Sequence, residues 1–149
     1  MSERVDRLQG HFDEIYRERM RDLPIVNDRL AVEAIGFREF EVHEIGVLLT
    51  PWFMNLFLIA GDDQWADAEQ GSSVDFPLPA ENCEFIVSHD DELGTYLSAI
   101  LFRTVADFPD QDTARAVADE VMASLFSVPE ADPPKRVSRR TLLSGMRAS

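Results

Sequence analysis

The sequence predicts an α+β fold in which a mainly antiparallel β-sheet packs against an N-terminal and a C-terminal helix. Apolar residues recur every three or four positions over residues 3–23 and 114–126, which is the spacing of one helix face. Between these stretches, short runs rich in β-branched and aromatic residues are typical of strands. After residue 127, prolines and arginines replace the apolar pattern. We therefore predict one domain over residues 1–127 and a flexible basic tail over residues 128–149.

The first helix is predicted from an apolar stripe that begins near the N-terminus. Ser2 can cap its first turn, and Pro24 marks its end because proline does not continue a helix. Such a stripe packs against the sheet while the polar face of the helix stays in water. Seven residues form the stripe: Val5, Leu8, Phe12, Ile15, Tyr16, Met20 and Leu23.

After the first helix, the pattern becomes that of an antiparallel meander. Three strands are predicted, at residues 32–40, 45–49 and 53–60. The apolar residues change from even to odd positions between the first two strands. Because a shift of one residue moves every side chain to the other face, we predict a turn or a bulge near His43 and Glu44.

Residues 46–60 form the longest run without a charged residue, and the rest of the domain is organised around it. Pro51 interrupts the run and predicts a corner, because proline cannot donate to a central β-ladder. The strand after the corner is apolar on both faces, so it is covered on both sides or leaves one side for a partner. We favour the second interpretation, with Trp52 and Met54 as a binding lip. An ordinary core hairpin is the alternative.

The remainder of the domain is predicted to contain an acidic loop, three strands and a helix. The loop covers residues 61–73, and two short strands cover residues 74–78 and 83–88. Residues 93–105 fit a helix or a strand, and their threonine, aromatic and β-branched content favours a strand. The second helix follows an aspartate cap and has an apolar stripe of seven residues: Ala114, Val117, Ala118, Val121, Met122, Leu125 and Phe126.

The composition predicts a cytoplasmic protein with an acidic body. The N-terminus lacks the apolar region of a signal peptide, and a single cysteine, Cys83, excludes an internal disulfide and a CxxC site. The last fifteen residues carry a charge of +5, and subtracting this from the net charge of −14 leaves −19 on residues 1–134. An acidic body repels nucleic acid and anionic lipid and attracts basic segments. We therefore predict neither nucleic-acid binding nor membrane insertion.

His89, Asp90, Asp91 and Glu92 are the best candidates for chemistry, because histidine and carboxylates can bind a metal or transfer protons. Adjacent residues rarely point at one centre, however, and no second histidine or cysteine lies at ligand spacing. An exposed turn is the favoured interpretation, and a small metal-dependent enzyme that uses His89 is the alternative. We predict no catalytic residues, no metal site and no cofactor.

Residues 138–143 of the tail, Ser-Arg-Arg-Thr-Leu-Leu, resemble the twin-arginine export consensus. In that consensus two arginines, here Arg139 and Arg140, precede apolar residues, here Leu142 and Leu143. Only six residues follow Leu143, so we do not expect the segment to act as an export signal itself. A generic basic tail is one interpretation, and a decoy that occupies the protein's own site for such signals is another.

The chain carries three motifs that resemble the HybE/HupJ family of [NiFe]-hydrogenase assembly chaperones. They lie at residues 50–54 (Thr-Pro-Trp-Phe-Met), 92–98 (Glu-Leu-Gly-Thr-Tyr-Leu-Ser) and 138–145 (Ser-Arg-Arg-Thr-Leu-Leu-Ser-Gly). The resemblance implies a cytoplasmic, non-catalytic chaperone. Its partners would be the hydrogenase small subunit precursor, with its twin-arginine signal peptide, and other hydrogenase maturation proteins. Some relatives have cysteine where this chain has Ala99, and others carry CxxC pairs in a rubredoxin module, so no redox role is implied here.

The predicted partner site combines an apolar lip with acids. A receptor for a twin-arginine signal needs acidic groups beside a hydrophobic groove, as in helix-in-groove recognition. We predict that the tail motif competes with the partner for this groove, and an interaction module for an unrelated ligand is the remaining alternative. Seven residues are predicted to bind the partner: Trp52, Phe53, Met54, Asp62, Asp63, Glu92 and Tyr96.

Overall fold

The computed structural model describes residues 3–127, and its architecture confirms the predicted α+β fold. The predicted tail, with Arg139, Arg140, Leu142 and Leu143, lies outside the described residues. Two helices are present: α1 at Glu3–Ile15, which a π-helical turn at Tyr16–Met20 continues, and α2 at Gln111–Leu125. Six strands form one sheet: β1 at Glu33–Phe40, β2 at His43–Thr50, β3 at Phe53–Ile59, β4 at Ser73–Pro77, β5 at Asn82–Asp90 and β6 at Gly94–Phe102.

The strand order is β1-β2-β3-β6-β5-β4, and every neighbouring pair is antiparallel. The first three strands form the predicted meander. Its predicted corner is a turn in which the Thr50 hydroxyl accepts hydrogen bonds from the backbone amides of Trp52 and Phe53, at 3.2 and 3.0 Å. Strand β6 inserts between β3 and β5. The C-terminal end of β6 therefore lies beside the N-terminal ends of both β3 and β5.

The two helices cover opposite faces of the sheet. Val5 and Leu8 of α1 are buried in a cluster with Leu48 and Phe57. Helix α2 starts after Asp110, whose carboxylate accepts a hydrogen bond at 2.8 Å from a backbone amide in the first turn. It packs on the other face through five buried residues: Ala114, Ala118, Val121, Met122 and Leu125. Within residues 3–127, no helix is both long enough and apolar enough to cross a membrane.

Strand β3 is covered on both of its faces. Leu56 and Leu58 belong to the core on the α2 side, whereas Phe57 and Ile59 belong to the cluster on the α1 side. The interpretation in which one face of this strand is left for a partner is therefore wrong for most of its length. Met54, a predicted partner-binding residue, is 0% exposed and lies in the α2-side core, so it offers no surface to a partner.

Two features of the structure cause the change of apolar residues from even to odd positions between β1 and β2. The hairpin turn precedes β2 and contains Glu41, whose φ of 59° lies in the left-handed region. A bulge interrupts the pairing of β1 with β2 between Ile35 and Arg38. The extra residue changes which side chains of β1 face α2. Phe40 consequently packs edge-to-face on Phe126, with ring centroids 5.3 Å apart.

His43 attaches the acidic loop to the sheet. Its Nδ1 atom accepts a hydrogen bond from the Gly61 amide at 2.9 Å, and its ring lies 5.0 Å from the ring of Trp65. Burial lowers the pKa of His43, and this effect outweighs the nearby Asp62 and Glu41 carboxylates, which raise it. A neutral imidazole therefore holds the loop, and Trp65 is a core residue.

Gly46 lies where strand β2 meets the bulge of β1, and we expect Gly46→Ala to destabilise the domain. A Cβ atom at this position would approach the Phe37 ring to 2.4 Å and the Phe37 Cα atom to 2.7 Å. Overpacking of this kind costs about 1–3 kcal/mol, which urea unfolding of the two proteins would measure as a loss of unfolding free energy.

Gly10→Ala is the matched control for this prediction. Gly10 lies in α1, where a Cβ atom would meet nothing within 4 Å. Alanine is the better helix former, so this substitution is expected to stabilise the domain by up to about 1 kcal/mol. Equal free-energy changes for the two substitutions would contradict the close approach at Gly46.

Candidate functional site

The pairing of strand β5 with β6 stops halfway along the two strands. The pairs extend from the β5–β6 turn to Ile86 and Ser98, and within the described part of the chain none follows them. Residues 82–85 pair with β4 alone, and residues 99–102 lie beside β3 alone. We call the gap between these two segments the β5–β6 split. Its walls are strand edges in the interior of the sheet. Edges that lack a neighbouring strand usually occur only at the outer strands of a sheet.

The β5–β6 split is a mainly apolar pocket. Its volume is about 310 Å³, at the lower end of the range for ligand pockets. Helix α2 borders it, and the end of this helix is fixed by a hydrogen bond of 3.0 Å from the Ala80 amide to the Leu125 carbonyl. Among residues 3–127, eleven line the split: Leu56, Glu81, Asn82, Cys83, Glu84, Ala99, Ile100, Leu101, Phe102, Val121 and Leu125.

Two glutamates give the β5–β6 split a negative charge. Among the described residues that line it, Glu81 and Glu84 are acidic and none is basic. Glu84 is exposed to solvent. Burial, together with the nearby Glu81 carboxylate, raises the pKa of the Cys83 thiol to about 11, so this thiol is uncharged at pH 7. A pocket with apolar walls and carboxylates fits a ligand that joins cationic groups to apolar ones.

Partly exposed aromatic residues lie at the same end of the sheet. Trp52 stacks on Tyr16 with ring centroids 6.2 Å apart and meets Phe53 edge-to-face at 5.4 Å. We call Trp52 and Phe53 the aromatic lip. Strand β6 separates the lip from the β5–β6 split, and its Ile100, opposite Asn55 of β3, is 66% exposed. The lip and the split therefore lie at the same end of the sheet with one strand between them, although Phe53 packs on the α1 face and α2 borders the split from the other face.

The predicted acids lie at the opposite end of the sheet, and Tyr96 lies between them and the aromatic lip, because Phe57 stacks on both Tyr96 and Phe53. Asp62 and Asp63 follow the end of β3, and Glu92 lies in the β5–β6 turn. Tyr96 stacks on Phe57 with ring centroids 5.4 Å apart. Because a strand rises about 3.3 Å per residue, the length of β3 separates this end from the aromatic lip by roughly 20 Å. The structure therefore does not bring the predicted acids and the lip together.

His11, which is isolated in the sequence, lies between two carboxylates of the β5–β6 turn. Its Nδ1 atom is 3.0 Å from Glu92, and its Nε2 atom is 3.7 Å from Asp90. These three side chains are close enough to share a metal ion. Each ring nitrogen faces a different carboxylate, however, and one ion binds only one nitrogen of a ring. The geometry thus fits a hydrogen-bonded attachment of α1 to the turn better than a metal centre.

Asp90 and His89 both serve the structure of the turn. Burial raises the pKa of Asp90, but hydrogen bonds from the Leu93 and Glu92 amides, with a smaller contribution from His11, lower it below its ordinary value. His89 uses both ring nitrogens, one within 2.7 Å of the Ala68 carbonyl and the other 3.0 Å from the Thr95 hydroxyl. His89 is therefore engaged in holding the acidic loop, which removes the basis for the alternative of a His89 enzyme.

Glu81 and Glu84, the two glutamates of the split, were not predicted from the sequence. Glu81 and Glu84 follow Trp52 by about thirty residues, and only the insertion of β6 between β3 and β5 brings the three residues to one end of the sheet. The residues at 79–82 predict a turn from the sequence. The point at which the β5–β6 pairing ends has no local sequence pattern that would predict it. Ala99 gave the one available signal, since a small residue there leaves room in the split.

Comparisons with known proteins show the family to which this chain belongs. The family described as "[NiFe]-hydrogenase assembly, chaperone, HybE" matches residues 3–145. The chain is similar to the hydrogenase expression/formation protein HupJ of Bradyrhizobium diazoefficiens, with 42% identity over 91% of this chain and 78% of that protein. It is equally similar to the hydrogenase expression/formation protein HupT of Azotobacter chroococcum, with 42% identity over 83% of each chain.

A solved structure has the same fold. The solution structure of HybE from Escherichia coli matches with a TM-score of 0.67 and 24% identity, over 89% of this chain and 83% of that one. Members of the matching family are assembly chaperones and not enzymes, as the sequence indicated. The chain belongs to the HybE family of [NiFe]-hydrogenase assembly chaperones.

Proposed function

We propose that this chaperone binds the precursor of the [NiFe]-hydrogenase small subunit before export, and that the β5–β6 split receives its twin-arginine signal peptide. The observation that carries the proposal is the combination of apolar walls with Glu81 and Glu84 in one pocket. A twin-arginine signal joins two cations to an apolar continuation, and the split offers a matching group for each part.

The arginines of the signal are assigned to the glutamates. A guanidinium group forms paired hydrogen bonds with a carboxylate, and such charge-assisted bonds are stronger than neutral ones. In the split they would form beside apolar walls, where less water competes for them. The net charge of −14 on the whole chain adds a longer-range attraction that raises the rate of encounter with a basic peptide.

The apolar continuation of the signal is assigned to the surface beside the split. Ile100 is exposed there, and the aromatic lip of Trp52 and Phe53 lies one strand farther along the sheet. Large aromatic side chains supply contact area at a low cost in conformational entropy, and they adapt to varied apolar sequences. A signal peptide that enters the split with its arginines can therefore continue over Ile100 towards the lip.

The remaining predicted partner residues are assigned to other parts of the complex. Asp62, Asp63 and Glu92 lie at the far end of the sheet, so a peptide held in the split reaches them only through the attached precursor, and Tyr96 lies between that end and the lip. We infer that this end contacts the folded part of the small subunit or other hydrogenase maturation proteins. We also infer a cytoplasmic site of action, because the precursor retains its signal peptide only before export.

Glu84→Lys is expected to weaken binding of a synthetic small-subunit signal peptide by about tenfold at physiological salt. The substitution replaces attraction to the arginines with repulsion, and tenfold corresponds to about 1.4 kcal/mol. Fluorescence anisotropy of a labelled peptide would measure the dissociation constant. Most of the loss is expected in the association rate, and it should shrink as added salt screens the charges.

Glu39→Lys is the matched control for Glu84→Lys. Glu39 is also an exposed acid, but it lies on β1, four strand positions from β5. At about 4.8 Å per strand, the two positions are roughly 19 Å apart across the sheet, beyond the Debye length of about 8 Å at physiological salt. An equal loss of affinity in both variants would show that only the net charge matters and would contradict recognition in the split.

Trp52→Ala is expected to weaken binding of the same peptide by about 2 kcal/mol or more, while the domain stays folded. Trp52 is partly exposed and stacks on Tyr16, so its removal takes away an aromatic anchor without opening the core. The other tryptophan, Trp65, is 8% exposed, and Trp65→Ala is expected to act on stability instead. Thermal unfolding and peptide titration of both variants would separate the two roles. Unchanged affinity in Trp52→Ala would remove the aromatic lip from the site.

A further inference from the structure

We propose that the chain's own C-terminal segment, residues 135–149, occupies the β5–β6 split until a client displaces it. The inference rests on the proposed function in one respect, since it assigns the segment to the pocket that receives the client's signal. It adds a regulation of that pocket by the chaperone itself. Three observations support it: the position of the end of α2, the charge of the segment, and the order of its residues.

The end of α2 lies at the β5–β6 split. Leu125, the last residue of the helix, lines the pocket, and its carbonyl accepts the hydrogen bond from Ala80 in the β4–β5 turn. Ser127, two residues later, is the last residue that the structure describes. An extended chain covers at most about 3.5 Å per residue, so the residues from 128 to 139 span up to roughly 40 Å. Arg139 is therefore within reach of a pocket at the end of α2.

The charge of the segment is complementary to that of the pocket. Residues 135–149 contain five basic residues and no acid, whereas residues 1–134 carry a net charge of −19. Two glutamates and no basic residue are found among the described residues that line the split. The remainder of the acidic surface attracts the segment less specifically, and the split combines that attraction with apolar burial.

The order of residues in the segment matches the order of groups in the proposed client. Arg139 and Arg140 come first, and Leu142 and Leu143 follow after one residue. The arginines suit Glu81 and Glu84, while the leucines suit the apolar walls formed by β6 and α2. A basic segment without this order would satisfy the charges and leave the apolar part of the pocket in contact with water.

Attachment to the same chain makes a weak interaction sufficient. Linkage through a short connection gives an effective concentration of about 1 mM, so a segment with an intrinsic dissociation constant of about 100 μM would fill the split in roughly nine of ten molecules. A client would then bind about tenfold more weakly than to an empty split. Clients with poor signals would be rejected, and good ones would displace the segment.

Cys83 allows occupancy of the split to be measured without any client. It is the single cysteine of the chain and lines the pocket, so its alkylation by the neutral reagent iodoacetamide reports access to the split. Deletion of residues 135–149 is expected to raise the alkylation rate about tenfold at pH 8.5, in line with the occupancy above. Removing the positive segment also disfavours the Cys83 thiolate, which is the reactive form, and this effect lowers the alkylation rate. A faster reaction in the shortened chain therefore reports access to the split and not a change in thiol ionisation. Equal rates in the full and shortened chains would overturn the proposal.

Two double variants form a matched pair in the full chain. Arg139→Ala with Arg140→Ala, and Lys135→Ala with Arg136→Ala, each remove two positive charges. The first double variant is expected to raise the alkylation rate at least fivefold and the second less than twofold, because only Arg139 and Arg140 belong to the twin-arginine motif. Equal increases would overturn docking by the motif and leave a general attraction between the segment and the acidic body.

Protein concentration distinguishes docking within one chain from docking between two. The alkylation rate of the full chain is expected to be the same over a hundredfold range of dilution. Protection that disappears on dilution would show that the segment of a second copy fills the split, which would overturn self-docking. Failure of the shortened chain to bind any signal peptide would count against the proposed function, while the alkylation rates would still test the docking of the segment.

Discussion

The candidate site depends on a strand pairing that is only half completed. Strand β6 runs beside β3 along its full length, but it pairs with β5 only from the shared turn to Ile86 and Ser98. Beyond these residues the two strands leave a pocket that α2 borders through Val121 and Leu125. Complete pairing would close this pocket and leave a flat sheet. The fold thus opens a pocket whose apolar walls include Leu56, Val121 and Leu125 of the core.

Charge and burial act together at this pocket. Apolar walls alone would bind many hydrophobic segments, and carboxylates alone would bind many basic ones weakly, because exposed ion pairs contribute little in water. In the function that we propose, Glu81 and Glu84 beside apolar walls select a ligand that carries both kinds of group. The adjoining aromatic lip extends the apolar part of the surface. Specificity in this arrangement comes from the combination of the two requirements.

The sequence predicted the elements of the fold well and the site only in part. Helical spacing identified α1 and α2, β-rich runs identified the strands, and Pro51 marked the corner, because these are local patterns. The insertion of β6 between β3 and β5 is a non-local choice that leaves no such pattern. The acids that follow the lip in sequence, Asp62 and Asp63, were therefore predicted to join it, although the length of β3 separates them. Met54 was misassigned for a different reason, since an apolar residue beside an exposed one can face the core.

The central claim is that the β5–β6 split receives the arginines of a small-subunit signal peptide. The most direct measurement is the change in backbone amide chemical shifts when this peptide is added to the full-length, isotope-labelled chaperone. The largest changes are expected in residues 82–85 and 99–102, on the two sides of the split, and a peptide with both arginines replaced by alanine should produce much smaller ones. Changes confined to the far end of the sheet, around Asp62 and Glu92, would contradict the account.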